Sequence, residues 1–348
     1  MTDPVPAPRV TAVMLAWGDE PLLEEAVGAV LSSTGVRVDV VLVDNGCTTD
    51  AVGRLAVLPG VTVVDPGANT GFAGGCNLGA SHASGDHLAF INGDAVVMPD
   101  ALRHLVDALG EDVGLSSASL RLYDDPDTMN SAGNPIHFSG LSWAGGLGEP
   151  STRHAVGGDI ASATGAATVA RADRFRELGG FCEPMFAYCE DTELSLRCWQ
   201  RGWRVVYVPD AVVLHRYEFS RNDQKMYLLE RNRLFLLLTL FEVRTLVLLA
   251  PALFGLELAV LVVAVSQGWR GAKTSSWRWL WQNRQLVRDR RREVQAARLV
   301  PDATIVRLLT GDFAPGGDAG TAPRPLRVVS RLYWRLVRRL LVLGHGKE

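Results

Sequence analysis

Cysteine is scarce in this chain and lysine scarcer still. The 348 residues include five cysteines, Cys47, Cys76, Cys182, Cys189 and Cys198, with no CxxC pair and no histidine at zinc-ligand spacing. An odd, scattered set of this kind excludes a disulfide scaffold and a zinc module, and it points to reduced thiols in a cytosolic setting. Lysine stands only at positions 225, 273 and 347, so almost all positive charge is arginine. The opening MTDPVPAPRV lacks a basic start followed by an apolar run, so no secretory leader is expected. No G-x-G-x-x-G joins a strand to a helix and no G-K-[ST] occurs. A dinucleotide fingerprint and a P-loop are therefore excluded, and a dehydrogenase with them.

What is present is enough apolar sequence for a large core. With 47% hydrophobic and 21% charged residues, the chain is too apolar for disorder, and collagen-like or coiled-coil compositions fail as well. Its length suits one large α/β domain or two smaller ones. Charge is unevenly spread. Residues 1–220 carry 13 Lys/Arg and 28 Asp/Glu, whereas residues 221–348 carry 22 and 10, so a body of net −15 leads into a tail of net +12. An acidic body with a basic, apolar tail fits a soluble unit held at an anionic membrane surface. Leu and Trp interleaved with the arginines argue against a nucleic-acid-binding arm, so no nucleic-acid partner is expected.

Four short apolar runs, residues 10–16, 38–43, 61–64 and 87–91, alternate with helical patterns over 21–32 and 75–84. Such alternation predicts a parallel sheet covered on both faces, with ligands at the carboxyl ends of its strands. Polar residues gather at those ends: Trp17-Gly18-Asp19, Asp44-Asn45-Gly46 and Asn92-Gly93-Asp94. Residues 121–160 read as loops with at most a short hairpin. Beyond them the pattern predicts a strand at 167–170, helices over 173–178, 191–201 and 227–241, and short strands at 205–208 and 212–214. Residues 311–325 form a flexible linker by composition, and residues 326–343 an amphipathic helix.

Each polar cluster, taken singly, has two readings. Asp94 is a turn aspartate, or it holds a cation bridging a diphosphate, because such cations take hard oxygen ligands from one or two carboxylates. The loop over residues 69–77 (NTGFAGGCN) is a structural turn, or a cradle whose glycines let backbone approach a ligand. Glu190-Asp191 caps a helix or supplies a general base. His215 is a core histidine or a metal ligand.

In order along the chain, VDNG (43–46), NTGFAGGCN (69–77), NGDAVV (92–97), GGF (179–181), FAYCEDTELSLRCWQRGW (186–203) and VLH (213–215) resemble the inverting family 2 glycosyltransferases. The nearest likeness is to the rhamnosyltransferase-like and galactofuranosyltransferase-like branch, over about residues 8–245. The resemblance implies a GT-A fold: a Rossmann-like, nucleotide-binding mixed α/β sheet flanked by helices, here with a C-terminal membrane-associated helical region. It places Ala16, Trp17, Asp44, Asn45, Asn69, Gly71, Phe72, Asn77, Asn92 and Asp94 along the donor. It puts Asp94 and His215 on Mg²⁺ or Mn²⁺, and makes Asp191 the catalytic base with Glu190 beside it. Gly165, Ala166, Glu190, Arg201 and Trp203 fall on the acceptor side, and Tyr227 and Arg231-Asn232 match a Y…RN element. Two positions depart from the family: Trp17-Gly18 replaces a Tyr-Asn pair, and Asn92-Gly93-Asp94 replaces Asn-Pro-Asp. Neither change removes a catalytic group.

The implied activity moves a sugar, rhamnose or a related hexose, from a dTDP- or UDP-linked donor to a lipid-linked or growing cell-surface polysaccharide, with inversion. Transfer to a polyprenyl phosphate is the alternative within the family. A non-catalytic, nucleotide-sugar-binding anchor subunit is the alternative outside it, and retention of Asp94, Asp191 and His215 together argues against that. The expected organisation is a glycosyltransferase domain over 1–225, with its donor part at about 8–120 and its acceptor and catalytic part at about 121–225. A membrane-associating helical region over 226–310, the linker over 311–325 and a basic amphipathic helix over 326–348 complete it.

Residues 245–265 have Glu257 as their only charge and Pro251 near the middle. That length just spans a bilayer, although a central charge costs about 2.5–3.5 kcal/mol on insertion scales. A span would also place a tail of 17 Lys/Arg against 6 Asp/Glu outside, contrary to the positive-inside bias. A peripheral or monotopic placement at the cytoplasmic membrane face fits better, with Trp269, Trp277, Trp279 and Trp281 as an interfacial belt. Packing of these helices as a homo-oligomer interface stays open.

Overall fold

The computed structural model describes residues 6–216, 222–314 and 324–343. The N-terminal part alternates β1 (Arg9–Gly18), α1 (Leu23–Leu31), β2 (Arg37–Cys47), α2 (Ala51–Leu55), β3 (Val61–Val64), α3 (Gly71–Ser81) and β4 (His87–Ile91). The middle adds β5 (Ala95–Val97), α4 (Ala101–Asp107), β6 (Val113–Leu122), β7 (Asp125–Ser131), β8 (Ile136–His137), β9 (Gly158–Asp159), β10 (Ala167–Arg171), α5 (Ala172–Glu177), α6 (Glu190–Gln200) and β11 (Arg204–His215). The remainder is α7 (Asp223–Leu240), α8 (Val243–Ser266), α9 (Arg270–Gln282), α10 (Arg284–Ala297), α11 (Asp302–Ile305), β12 (Leu309–Thr310) and α12 (Arg324–Leu343).

The main sheet runs β3-β2-β1-β4-β10-β6-β11-β5. Its first four strands pair in parallel, as the alternation predicts. β10 then enters antiparallel between β4 and β6, which makes the sheet mixed. Side chains alternate across it. Val10, Ala12, Met14 and Ala16 of β1 join a core with α1 and α4, while Val13 of β1 and Leu88 and Phe90 of β4 join a second core with α6 and α7. Two covered faces are why these strands read as unbroken apolar runs.

Residues 121–160 are largely loop with one short antiparallel hairpin, formed by the end of β6 with β7, as read. Two readings change. The two short strands over 205–214 are one strand, β11, with an irregularity between Val208 and Val212. Pro209 sits there and has no N–H to give the ladder. The expected domain break at 225/226 falls inside α7, whose Phe235, Leu236, Leu237 and Leu240 share a core with Phe90. Most of residues 226–310 thus belong to the same folded body as the sheet.

α8 joins that body through the buried Leu249, yet it is the one described helix long and apolar enough to cross a membrane, with 6% of its apolar window buried. Val243, Val247, Phe254, Leu258 and Val262 lie exposed on it. Glu257 at its middle is paired with Arg233 of α7 and, at 2.7 Å, with Lys273 of α9, and Trp277 Nε1 donates to it at 2.6 Å. The tryptophan belt is corrected accordingly. Trp269 is buried, Trp277 and Trp279 are half-buried in protein contacts, and Trp281 alone of the four is exposed. α12 docks by Trp334, Val337 and Leu341, with Trp334 stacked on Phe138 at 5.3 Å. The proposed linker falls largely on residues 315–323, outside the described residues.

Candidate active site

β1 and β2 end side by side, with Ala16 opposite Asp44. Trp17 projects from this edge, 64% exposed, an unusual position for so large an apolar ring. Asp44 Oδ1 accepts from the backbone N–H of Gly46 at 3.3 Å and of Cys47 at 2.9 Å, which closes the turn. Asn45 is buried and ties down the glycine-rich loop. Its Oδ1 accepts from Thr70 N at 2.9 Å, and its Nδ2 donates to Gly71 O at 3.1 Å and Asn69 Oδ1 at 3.3 Å. Asn69 Oδ1 also accepts from Gly71 N at 2.8 Å. Asn77 is used likewise, donating to Phe181 O and accepting from Phe181 N at 3.0 and 2.8 Å. These three asparagines hold the loop and the Gly180 turn, and Phe72 of the loop packs edge-on against Phe181 at 5.6 Å.

Asp94 follows β4 and lies beside the end of β11, where His215 Nε2 is 3.2 Å from Asp94 Oδ1. Arg216 N donates to Asp94 O at 3.1 Å, which fixes the approach. Asn130 Oδ1 faces His215 Nδ1 at 2.8 Å. Two ligand atoms about 3 Å apart match neighbouring positions around a cation with ~2.1 Å bonds. Among the described residues no group of three or more His, Cys, Asp or Glu is close enough to hold an ion by itself. The pair Asp94 and His215 therefore fits a Mg²⁺- or Mn²⁺-type ion that takes its remaining ligands from a diphosphate and water.

Asp191 lies in the first turn of α6. Its Oδ1 accepts from Thr192 N at 2.6 Å and Thr192 Oγ1 at 3.2 Å, and its Oδ2 from Gly165 N at 3.1 Å and Asn134 Nδ2 at 3.4 Å. Burial raises its pKa, and these donors work in the other direction. Glu190 is 6% exposed, and its Oε2 has no hydrogen-bond partner among the described residues. Burial first, and then the charge of Asp191, push the Glu190 carboxyl well above the usual range. The two environments differ: burial raises both carboxyls, but only Asp191 has donors that offset it, so Glu190 is the more strongly raised of the pair.

The segment before them is strained. Phe186, Tyr188 and Cys189 adopt positive φ of 64°, 68° and 67°. Asn232 of α7 holds it there, donating through Nδ2 to Met185 O, Ala187 O and Tyr188 O at 2.9, 2.8 and 2.7 Å, while Arg231 donates to Pro184 O and Met185 O at 3.0 and 2.7 Å. Gly71 is needed on the opposite side. Its φ is +73°, and a Cβ there would lie 2.4 Å from Phe186 O. Strain of about 1–3 kcal/mol per residue persists only where packing over-determines it, typically at functional sites.

Residues 7–234, more than half of the chain, match the family described as Glycosyltransferase like family 2. The chain belongs to the family 2 glycosyltransferases. It is 29% identical over 253 residues, 63% of its own length and 78% of the other's, to the N-acetylglucosaminyl-diphospho-decaprenol L-rhamnosyltransferase of Mycobacterium tuberculosis. It is also 31% identical over 134 residues to the succinoglycan biosynthesis protein ExoO of Rhizobium meliloti, covering 34% of this chain and 38% of that one. Among solved structures, GalNAc-T7 with UDP, GalNAc and Mn²⁺ superposes with a TM-score of 0.55 at 16% identity, over 67% of this chain and 48% of that one. The mannosyltransferase PcManGT of Pyrobaculum calidifontis, in complex with GDP-Man and Mn²⁺, gives 0.51 at 17% identity, over 99% and 90%. The fold is GT-A.

In this glycosyltransferase the structure brings Gly165, Phe72 and Asp191 together: a Cβ on Gly165 would lie 3.4 Å from the Phe72 ring and 3.8 Å from Asp191 Cβ. Ala166 O accepts from Asn92 N at 3.0 Å, joining that group to the end of β4. Arg201 and Trp203 are not brought in, which corrects their expected acceptor role. They follow the last turn of α6, about 15 Å along the axis from Asp191 at 1.5 Å per residue. There Arg201 pairs with Glu177 and donates to Ala297 O at 2.7 Å. Asn130, Asn134 and Thr192 were not singled out from sequence. Thr192 was the legible one, a hydroxyl adjacent to a candidate base; the asparagines sit in a stretch that read as loop.

Proposed function

We propose that this glycosyltransferase moves rhamnose from a dTDP- or UDP-linked donor, with inversion, to a lipid-linked saccharide that feeds a cell-surface polysaccharide. The observation that carries the reading is that Asp94 and His215 meet at the strand ends, while Asp191, separately held by four donors, reaches the same end through Gly165, Ala166 and Asn92. The activity for which the mycobacterial relative is named supports the choice of sugar and of a lipid-linked acceptor. Trp17 and Asp44 flank the nucleoside base, and Phe72 and Gly165 line the approach to Asp191. The acceptor hydroxyl gives its proton to Asp191 as its oxygen forms a bond to the anomeric carbon. The bond from that carbon to the diphosphate breaks on the opposite face, and the diphosphate leaves with the electron pair. A divalent cation on Asp94 and His215, when bound, supplies positive charge for that leaving group. Glu190, whose charged form burial disfavours, is the less readily ionised neighbour of the base.

The test is thermal stabilisation by UDP, dTDP and GDP with Mn²⁺, beside Asp94→Ala. A ligand at 100 times its dissociation constant adds about 2.7 kcal/mol. A Mn²⁺-dependent shift with dTDP or UDP that is lost in the variant is expected; no shift with any nucleotide overturns the donor site.

The same reading places α8 and α12 on an anionic membrane surface without crossing it. Glu257 is bolted to Arg233 and Lys273, and α7 also holds the segment before Asp191, so a spanning α8 would drag the catalytic body into the bilayer. α12 carries Arg331, Arg335 and Arg338 at helical spacing beside the exposed Leu332, Leu336 and Leu340. Each such arginine is worth about 1 kcal/mol near anionic lipid. Co-sedimentation with anionic but not zwitterionic vesicles, reversed by high salt or carbonate, is expected. Release by detergent alone contradicts the surface placement.

A further inference from the structure

One short segment touches both halves of the site. Asn130, on β7, is 2% exposed, and its Oδ1 faces His215 Nδ1 at 2.8 Å. Four residues later Asn134 Nδ2 meets Asp191 Oδ2 at 3.4 Å. The turn between them is braced from several sides. Gly133 takes a φ of +87°, and Ser131 Oγ lies 3.1 Å from both Gly133 O and Asn134 Oδ1. Ala132 N donates to Gly145 O at 2.8 Å, Gly145 N donates to Gly133 O at 2.9 Å, and Asn134 N donates to Ser162 O at 2.8 Å.

We propose that Asn130 and Asn134 are positioning residues which, from this single braced turn, orient the metal-facing histidine and the catalytic base relative to each other. The inference rests on the reading of Asp94, His215 and Asp191 given above.

The chemistry of each contact follows from what an amide can do. The carbonyl oxygen of Asn130 only accepts, so His215 Nδ1 carries the proton and Nε2 presents its lone pair on the side of Asp94. That is the tautomer a divalent cation requires, and outer contacts of this kind set ligand orientation. Asp191 has about four acceptor positions on its two oxygens, and Gly165 N, Thr192 N, Thr192 Oγ1 and Asn134 Nδ2 occupy them. The Asn134 contact, at 3.4 Å, is the longest of the four and comes from the braced turn. Ser131 at Asn134 Oδ1 keeps the amide nitrogen turned toward the base. Both functional groups therefore take their orientation from residues four positions apart on one rigid loop, which sets their separation.

Three full-length variants test this, with Mn²⁺ plus UDP or dTDP as the probe. Asn130→Ala should weaken Mn²⁺ binding about 10–100-fold, read by electron paramagnetic resonance of free Mn²⁺. Asn130→Asp still accepts from Nδ1 and should keep that affinity. Asn134→Ala should leave Mn²⁺ affinity unchanged, lower kcat, and move the acid limb of kcat/KM to higher pH, because a carboxylate that loses a donor is harder to ionise. The titratable groups facing Asp191 are Glu190 and the Cys189 thiol of its own segment. Gly165, Asn134 and Phe72, from the other elements, bring no charge.

If Asn130→Asp loses Mn²⁺ as Asn130→Ala does, or if Asn134→Ala changes Mn²⁺ affinity and leaves the pH profile in place, the proposal is overturned. Should Asn130→Ala not fold, the contrast between Asn130→Asp and Asn134→Ala decides. Asp94→Ala and Asp191→Asn serve as references. If they spare Mn²⁺ binding and turnover respectively, the underlying site reading falls; if they behave as expected and the asparagine variants are silent, only the positioning roles fall.

Discussion

Helix α6 carries two buried glutamates one turn apart, and their surroundings are opposite. Glu193 is fully buried between Arg197 at 2.6 Å and Arg290 at 2.8 Å. Burial would raise its pKa, but the two guanidinium charges outweigh that and hold the carboxyl below its usual range. Glu190 is nearly as buried, makes no ion pair among the described residues, and is pushed the other way by burial and by Asp191. The difference separates architecture from chemistry. A carboxylate wrapped in arginine fixes α6 against α10 and, through Arg197 Nη2 donating to Gly180 O at 2.6 Å, fixes the turn that Asn77 also holds. The acidic pair at the other end, raised by burial, has the environment that the proposed proton transfer to Asp191 calls for.

The largest effect that bears on this contrast is expected at the reacting end. Asp191→Asn should lower turnover by about 10²–10⁴-fold while nucleotide affinity, measured by titration calorimetry, stays near wild type. The next sharpens the comparison directly. Glu193→Gln strands two buried arginines and should cost about 3–5 kcal/mol in urea denaturation. Glu190→Gln removes a carboxyl whose charged form burial disfavours and should cost less than about 1 kcal/mol. Equal losses would erase the distinction.

A third buried group extends the contrast to the docked C-terminal helix. His137 sits between Ser139 Oγ at 2.7 Å and Ser330 Oγ of α12 at 3.1 Å, with Arg233 and Asp312 the charges nearest in effect. Burial lowers its pKa to about 4. A histidine depressed in the folded state takes up protons first when unfolded, so stability is full above pH 6.5 and falls as pH drops toward 4. The loss is about 3 kcal/mol over that window. Thermal melts across the window should show it, and His137→Gln should flatten it. A smaller effect is expected at Asn232→Ala, which removes the side-chain donor of Ala187 O and Tyr188 O while Met185 O keeps Arg231. A cost of about 1–3 kcal/mol should come with a lower kcat and unchanged nucleotide affinity.

These residues also show what a sequence carries. β1 to β4 and the polar ends of those strands were legible because period, turn residues and apolar runs are local. Asp94, Asp191 and His215 stood out through ordered motifs that need no contact to be seen. Contacts between distant segments were not legible: His215 with Asn130 spans 85 residues, Asp191 with Asn134 spans 57, and Glu193 with Arg290 spans 97. Arg201 and Trp203 failed for a related reason, since neighbours in the motif are separated by the length of a helix. Glu257 counted against a membrane helix in isolation, because its partners Arg233 and Lys273 belong to other helices.

The central claim is a single displacement with Asp191 taking the proton. Proton NMR of the freshly formed product, using the donor nucleotide sugar selected by the thermal screen, tests it most directly. The account predicts an anomeric configuration opposite to that of the donor. A product with the donor's configuration would contradict it, because one attack by the acceptor hydroxyl on the anomeric carbon cannot retain that configuration.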